Sequence, residues 1–177
     1  MRQLEKYKAD HGCAVVMKTN SGEIKSIVNL SKTRNGKYYE KFNYAVAESQ
    51  EPGSTFKLIN ALIGLQEKVI YSGSKYNCDE GYVYGEEKRK MKCHPHRSPL
   101  NLIESISNSC NAYFCNVYRG IIEKYPNTYE GYDVWRNYVT SFGLGNWLNN
   151  DLPTGQKGFV PTANFYDRIN GKNRWKS

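Results

Sequence analysis

Ser54 and Lys57 stand three positions apart in Pro52-Gly53-Ser54-Thr55-Phe56-Lys57, directly ahead of an apolar run. On a helix, positions i and i+3 share a face, so an ammonium at the second comes within hydrogen-bond reach of a hydroxyl at the first. A hydroxyl at a helix N-terminus also lies among unpaired N–H groups and the positive end of the helix dipole, which favour an alkoxide and a developing oxyanion. Burial strips solvation from a charged lysine and lowers its pKa, so a buried Lys57 could take the proton of Ser54 and make it a nucleophile. The same residues admit a plainer reading, in which Ser54 caps the helix and Lys57 is a surface charge.

A second group with chemical potential follows. Cys93-His94-Pro95-His96 places a thiol and an imidazole at a spacing that a tight turn can present to one metal; Cys78 lies 15 positions before Cys93 and Cys110 lies 14 positions after His96. Cys78, Cys93, His96 and Cys110 together form a Cys₃His set suited to tetrahedral zinc, with His94 as the alternative imidazole. A Cys78–Cys93 disulfide is the main rival, and four uncoordinated side chains a further one. Cys13 and Cys115 lie among apolar neighbours and read as core thiols. Five cysteines is an odd number, which a purely disulfide framework does not accommodate.

The elements that must position these groups are partly legible. Residues 2–10 read as the end of a helix. Residues 13–30 form a hairpin, Cys-Ala-Val-Val-Met-Lys-Thr and Ile-Lys-Ser-Ile-Val-Asn-Leu around a Gly-containing turn. Residues 31–49 read as a long loop. From 54 onward Phe56, Leu58, Ile59, Leu62, Ile63 and Leu65 occupy too many faces for a surface helix, which predicts a largely buried one. Residues 71–99 form a loop-rich Cys/His insert with charges from Glu86 to Lys92 at its centre. A helical region spans 100–123, interrupted near 107–111; another covers about 129–142, and the remainder is turn-rich.

Length and composition exclude several classes. At 177 residues, with 39% hydrophobic and 14% aromatic residues, the chain is too large for a disulfide-stapled miniprotein and too apolar for a disordered tail. It has no apolar run long enough for a transmembrane helix and no secretory segment, so any membrane anchor would lie outside it. A net charge of +8 suits an anionic neighbour: nucleic acid, membrane or an acidic wall polymer. A zinc-stabilised nucleic-acid-binding module is the remote reading, opposed by the dispersal of lysines and arginines among acids and by the lack of any nucleic-acid-binding motif.

Pro-Gly-Ser-Thr-Phe-Lys before an apolar helix, followed about 50 residues on by Ser109-Cys110-Asn111 before an aromatic-rich helix, is the pattern of penicillin-recognising serine acyl-transfer enzymes. With the segments GCAVVMKTNSGEIKSIVNL and FGLGNWLNNDLPTGQKGFVP, the chain resembles the class B penicillin-binding proteins of the elongation type, the penicillin-binding protein 2 group. The resemblance implies a serine D-Ala-D-Ala transpeptidase of peptidoglycan synthesis with an α+β fold. Catalysis then needs no cofactor, and Ser54, Lys57, Ser109 and Asn111 are its catalytic residues, Ser109 relaying protons and Asn111 holding the substrate amide and Lys57. It implies stem peptides as substrates, β-lactams as inhibitors, and a glycan polymerase and elongation-complex proteins as partners. The place is the outer face of the cytoplasmic membrane, in the periplasm. Some such relatives carry Cys, Asp or His ligands in this insert and a Cys inside the second motif, which adds weight to zinc. Cys110, pointing away from Ser109 and Asn111, would then hold them from behind.

One departure bears on all of this. The third motif of the family, Lys-Thr/Ser-Gly, is absent; Pro153-Thr154-Gly155 lacks the lysine and falls in the loop after Phe-Gly-Leu-Gly. The expectation is a partial transpeptidase domain over 1–177, holding only the first hairpin of a five-stranded antiparallel sheet, with an unpaired first strand and little activity alone. A β-lactam-sensing receptor domain shares both motifs. A class D-like β-lactamase shares the first but would carry an apolar residue where Asn111 stands.

Overall fold

The computed structural model describes residues 1–147, 150–172 and 175. They divide into two compact units, one of Met1–Glu51 with Asn146–Gly158, the other of Pro52–Gly145 with Phe159–Ser177. The class is α+β, as expected, with helices and two small antiparallel sheets among the described residues.

In the first unit a short helix α1 (Arg2–Lys6) leads into β1 (His11–Met17), which pairs antiparallel with β2 (Ile24–Lys32) in a register running from His11↔Ser31 to Met17↔Ile24. The expected hairpin is therefore present and two residues longer at each end. A third strand, β3 (Tyr38–Tyr39), extends the sheet on the far side of β2, so the order is β1-β2-β3. This corrects the reading of 31–49 as a loop. The chain turns back between Thr33 and Lys37, with the Thr33 N–H donating to the Lys37 carbonyl at 2.8 Å, and Tyr38 becomes buried. Its hydroxyl reaches the carbonyls of Leu4 (3.1 Å) and Ala9 (2.6 Å), which ties the end of α1 to the sheet. Asn29, buried in β2, donates to Asn43 at 3.0 Å and accepts from the Ala45 N–H at 3.1 Å, fixing the start of the one-turn helix α2 (Tyr44–Ala47).

The second unit is built on α3 (Phe56–Gln66), α5 (Asn111–Glu123) and α6 (Thr128–Ser141). Ile63, Leu100, Cys110, Tyr113, Val117, Ile121 and Val139 form its core, each at most 1% exposed. Helices α5 and α6 approach so closely that a Cβ on Gly131 would lie 2.2 Å from the Ile122 carbonyl oxygen, which only glycine avoids. The expectation of a largely buried α3 needs correction. Ala61, Ile63 and Gly64 are buried, yet Leu58 and Leu62 are each 52% exposed and Leu65 is 39% exposed, so α3 buries one face only.

Within the insert, β4 (Tyr82–Tyr84) and β5 (Arg89–Met91) make a hairpin from a stretch that reads as a charged loop, because the exposed β5 carries its charges into solvent. The interruption near 107–111 separates α4 (Leu102–Ser107) from α5, as expected. Helix α7 (Ala163–Asn170) lies in the segment expected to be turns, capped by the Thr162 hydroxyl on the Phe165 N–H at 3.2 Å.

A buried carboxylate locks the helices together. Glu67, just past α3, accepts from Lys124 Nζ (2.7 Å) and Tyr125 OH (2.7 Å) beyond α5, and from Tyr138 OH (2.8 Å) on α6. The Lys124 bond and the two tyrosine hydroxyls outweigh burial and hold its pKa down at about 2 instead of 4.5. A carboxylate with a lowered native pKa contributes stability that is present above its unfolded value and lost as pH falls toward the folded one. Urea unfolding should therefore show stability declining from pH 4.5 toward about 2. In Glu67→Gln that decline should be blunted and the neutral-pH stability lower by about 1–3 kcal/mol. An unchanged acid limb in the variant would contradict the assignment.

Candidate active site

Pro52 and Gly53 set up Ser54, the candidate nucleophile. Gly53 has φ +56°, a left-handed conformation that glycine adopts without strain, and it opens a 3₁₀ turn, Gly53–Thr55, that runs into α3. The α-helix thus begins at Phe56, two residues after the expected start, and Ser54 sits exposed on the turn ahead of it. Lys57, in the first turn of α3, still lies over it, with Nζ 3.2 Å from Ser54 Oγ.

The opposite wall is the connection from α4 to α5. Helix α4 starts with a capping box, the Asn101 side chain accepting from the Glu104 N–H while Glu104 accepts from the Asn101 N–H. It ends in a Schellman motif, with the Cys110 N–H bonded to the Ser105 carbonyl (2.9 Å) and the Ser109 N–H to the Ile106 carbonyl (3.1 Å). That motif wants glycine at its left-handed position, but Ser109 stands there at φ +50°. A side chain is kept where the backbone favours none, and its hydroxyl faces the nucleophile: Ser109 Oγ lies 3.0 Å from Ser54 Oγ and 2.9 Å from Lys57 Nζ. Cys110 then turns extended and fully buried, capping α5 with Sγ 3.4 Å from the Tyr113 N–H, and Asn111 begins the helix.

Lys57 Nζ is surrounded by four oxygens: Ser54 Oγ, Ser109 Oγ, the Ser109 carbonyl (2.7 Å) and Asn111 Oδ1 (2.7 Å). The amide of Asn111 is oriented by its own Nδ2, which donates to the Lys92 carbonyl at 3.0 Å, so Oδ1 must face the lysine. Two of the four oxygens, the Ser109 carbonyl and Asn111 Oδ1, can only accept. A neutral Lys57 gives its two N–H bonds to those and leaves its lone pair for a hydroxyl proton. Burial lowers the Lys57 pKa, with Cys110, Cys93 and Cys115 acting the other way. The site therefore supports serine nucleophilic attack with lysine as base and Ser109 as a second proton carrier. All four residues expected to be catalytic lie together.

Behind the Ser109–Asn111 segment, thiols converge. A ring nitrogen of His96 and the sulfurs of Cys93 and Cys110 all lie within 4.8 Å of one another, and Cys110 Sγ is 3.2 Å from Cys78 Sγ. His96 Nδ1 lies 2.7 Å from the Arg97 carbonyl and donates to it, so in the neutral ring Nε2 is the acceptor; that atom is buried and has no hydrogen-bond partner. Two sulfurs and an orphaned imidazole nitrogen, from Cys93, Cys110 and His96, are a donor set that suits zinc, while Cys78, beside Cys110, falls outside that three-residue group. His94 is exposed and stays outside the cluster. All five cysteines are free of disulfides, and Cys110 Sγ lies 3.2 Å from Cys78 Sγ and 3.5 Å from Cys93 Sγ. Sequence reasoning missed the Lys92 carbonyl, which a side-chain motif cannot reveal, and Cys110 as the helix cap.

Comparison with known proteins follows the same lines. Residues 12–173 match the family model described as the penicillin binding protein transpeptidase domain. The chain is 26% identical over 164 residues to penicillin-binding protein 2A of Bacillus subtilis, covering 87% of this chain and 23% of that protein. It is 26% identical over 166 residues to a peptidoglycan D,D-transpeptidase FtsI homolog of Mesostigma viride, covering 85% and 26%. It thus spans about a quarter of the length of these curated relatives. The structure of penicillin-binding protein 2B from Streptococcus pneumoniae strain 5204 shares the fold at TM-score 0.67 and 20% identity, over 94% of this chain and 31% of that one. A peptidoglycan glycosyltransferase from Burkholderia ambifaria does so at TM-score 0.72 and 19% identity, over 97% and 48%.

The left-handed serine gives a test that separates structure from chemistry. Ser109→Gly removes the steric cost at φ +50° and should leave stability unchanged or higher by up to about 1 kcal/mol. Covalent labelling of Ser54 by an acylating reagent should slow by at least about 10²-fold as the second proton carrier is lost. A glycine variant that labels at the parental rate would remove Ser109 from the site.

Proposed function

The chain belongs to the penicillin-binding protein transpeptidase family, and from that premise we propose that it carries the acylating half of a peptidoglycan D,D-transpeptidase site. The observation that carries this reading is the placement of Lys57 Nζ between Ser54 Oγ and Ser109 Oγ, at 3.2 and 2.9 Å. Ser54 Oγ attacks the carbonyl of the penultimate D-Ala of a stem peptide as its proton passes to Lys57. Lys57 passes that proton on through Ser109 to the departing D-Ala nitrogen, leaving an ester on Ser54 and both Lys57 and Ser109 as they began. An amine from a neighbouring stem then takes the acyl group and cross-links the wall. A β-lactam enters the same first step, and its opened ring has no leaving group to depart. The sequence holds no Lys-Thr-Gly or Lys-Ser-Gly triplet, so no residue of this chain is assigned to the substrate's terminal carboxylate.

The setting in this reading is the periplasmic face of the cytoplasmic membrane, beside a glycan polymerase and the elongation machinery; family membership supports it. Among the described residues no helix is long and apolar enough to cross a membrane. Cys93, His96 and Cys110, with Cys78 beside Cys110 as the fourth ligand, would hold a structural zinc; the convergence of the first three and the partnerless His96 Nε2 support this. When bound there, it would supply positive charge that stabilises thiolates, and its ligands would tie the insert to the segment carrying Ser109 and Asn111.

In the full-length protein, Ser54→Ala should abolish both fluorescent-penicillin labelling and cross-linking of stem peptides. Labelling that survives the substitution would overturn the assignment of Ser54. Labelled wild-type protein that transfers no acyl group to an amine would point to a β-lactam sensor instead.

Elemental analysis of protein purified without added metal should give near one zinc per chain, lost in Cys110→Ser together with a lower melting temperature. Metal-free protein with two fewer titratable thiols would favour a disulfide.

A further inference from the structure

Three thiols meet behind the Ser109–Asn111 segment, and solvent reaches them unequally. Cys93 is partly exposed, whereas Cys78 and Cys110 are 3% and 0% exposed. Cys110 Sγ is in contact with both of the others, 3.5 Å from Cys93 Sγ and 3.2 Å from Cys78 Sγ. The Ala112 N–H, in the first turn of α5, donates to Cys93 Sγ at 3.2 Å and so supports negative charge developing on that sulfur. The neighbours of these thiols in the chain belong to the Lys57 site. Ser109 and Asn111 flank Cys110, and Lys92, next to Cys93, supplies the carbonyl that orients the Asn111 amide at 3.0 Å. Movement of either sulfur is therefore delivered to Asn111, from its own backbone or from the carbonyl that pins its side chain.

We propose that Cys93, Cys110 and Cys78 form a thiol relay that accepts oxidation from an external disulfide at Cys93, stores it as a buried Cys78–Cys110 bond, and switches the Lys57 site off. The exchange needs only these thiols; its effect on acylation of Ser54 rests on the transpeptidase reading. Cys93 Sγ attacks the external disulfide, forming a mixed disulfide and releasing one thiol. Cys110 Sγ then attacks Cys93 Sγ, forming the Cys93–Cys110 bond and releasing the second thiol. Cys78 Sγ attacks Cys110 Sγ in turn and returns Cys93 as a thiol. The two electrons and two protons given up by Cys78 and Cys110 end on the two released thiols. Both sulfurs of the final bond are buried, which slows its reduction by thiols in solution. Bonding draws sulfurs now in contact to about 2 Å, and the displacement of Cys110 passes to Ser109, held at φ +50°, and to Asn111. A misplacement of about 1 Å at reacting groups can cost about 10²-fold in rate. A bound zinc would hold the same sulfurs, so the relay belongs to the metal-free chain. The periplasmic setting proposed above is one in which disulfides form and persist.

The full chain, with a chelator present, is incubated with oxidised glutathione, alkylated, and mapped by non-reducing peptide mass spectrometry. The expected order is glutathione on Cys93, then a Cys93–Cys110 link, then a Cys78–Cys110 link with Cys93 free again. Cys93→Ser, which lacks the entry thiol, should leave Cys110 reduced, and Cys78→Ser should stop at the Cys93–Cys110 link. On oxidation of the wild-type chain, amide hydrogen exchange over residues 105–113 should change, and fluorescent-penicillin labelling of Ser54 should slow by about 10²-fold and recover with dithiothreitol. Cys110 recovered as a free thiol, a Cys78–Cys93 link in its place, or oxidation of Cys110 as fast in Cys93→Ser as in the wild type overturns the relay. Unchanged exchange and labelling in protein mapped as oxidised overturn the switch. Reduced protein whose Ser54 takes no penicillin sinks the transpeptidase reading instead, and the disulfide map still decides the relay.

Discussion

A lysine side chain that leaves water must find oxygen atoms, and Lys57 finds them on two different elements. Its Nζ is bound by Ser54 from the turn ahead of α3, and by the Ser109 carbonyl, Ser109 Oγ and Asn111 Oδ1 from the link between α4 and α5. Those contacts fix the distance between helix α3 and the second wall, which sets Ser54 Oγ 3.0 Å from Ser109 Oγ. The same burial that demands these partners lowers the lysine's pKa, so the interaction that organises the site also suits Lys57 to the proposed role of base. Positioning and reactivity follow from one desolvated amine.

Three consecutive residues carry a disproportionate share of this arrangement. Ser109 takes the left-handed place of a Schellman motif, Cys110 turns inward as the cap of α5, and Asn111 starts the helix with its amide pinned by the Lys92 carbonyl. Their alternation sends Ser109 and Asn111 toward Lys57 and Cys110 toward Cys78, Cys93 and His96. The proposed zinc cluster therefore pulls on the back of the segment whose front holds the lysine. Farther away, Glu67 clamps the ends of α3 and α5 to α6, which keeps the two helices that carry the site from splaying.

The four residues that meet at Lys57 were legible because their types and spacing suggest the chemistry: a hydroxyl and an amine one helical turn apart, then a second hydroxyl and an amide. The start of α4 was legible in principle too, since Asn101 and Glu104 have the spacing of a capping box. Other features left no readable trace. Strand β3 is two residues long, too short for alternation to register, and β4 and β5 are three residues each. Helix α7 spans eight residues, and only Thr162 ahead of it marks a cap. The apolar residues of α3 announced burial without saying which would be covered, and Leu58, Leu62 and Leu65 lie exposed. Asn111 is oriented by a main-chain carbonyl 19 positions away, a contact that only the fold creates.

The claim on which the account turns is that Lys57, desolvated among those oxygens, is the base that activates Ser54. The rate of penicillin acylation of Ser54 as a function of pH measures it. The account predicts a rate that rises with pH to a plateau, with a midpoint below the ordinary lysine value of 10.5, and a limb that disappears in Lys57→Ala along with most of the rate. A midpoint at or above 10.5, or a Lys57→Ala variant that acylates at the parental rate, would contradict it.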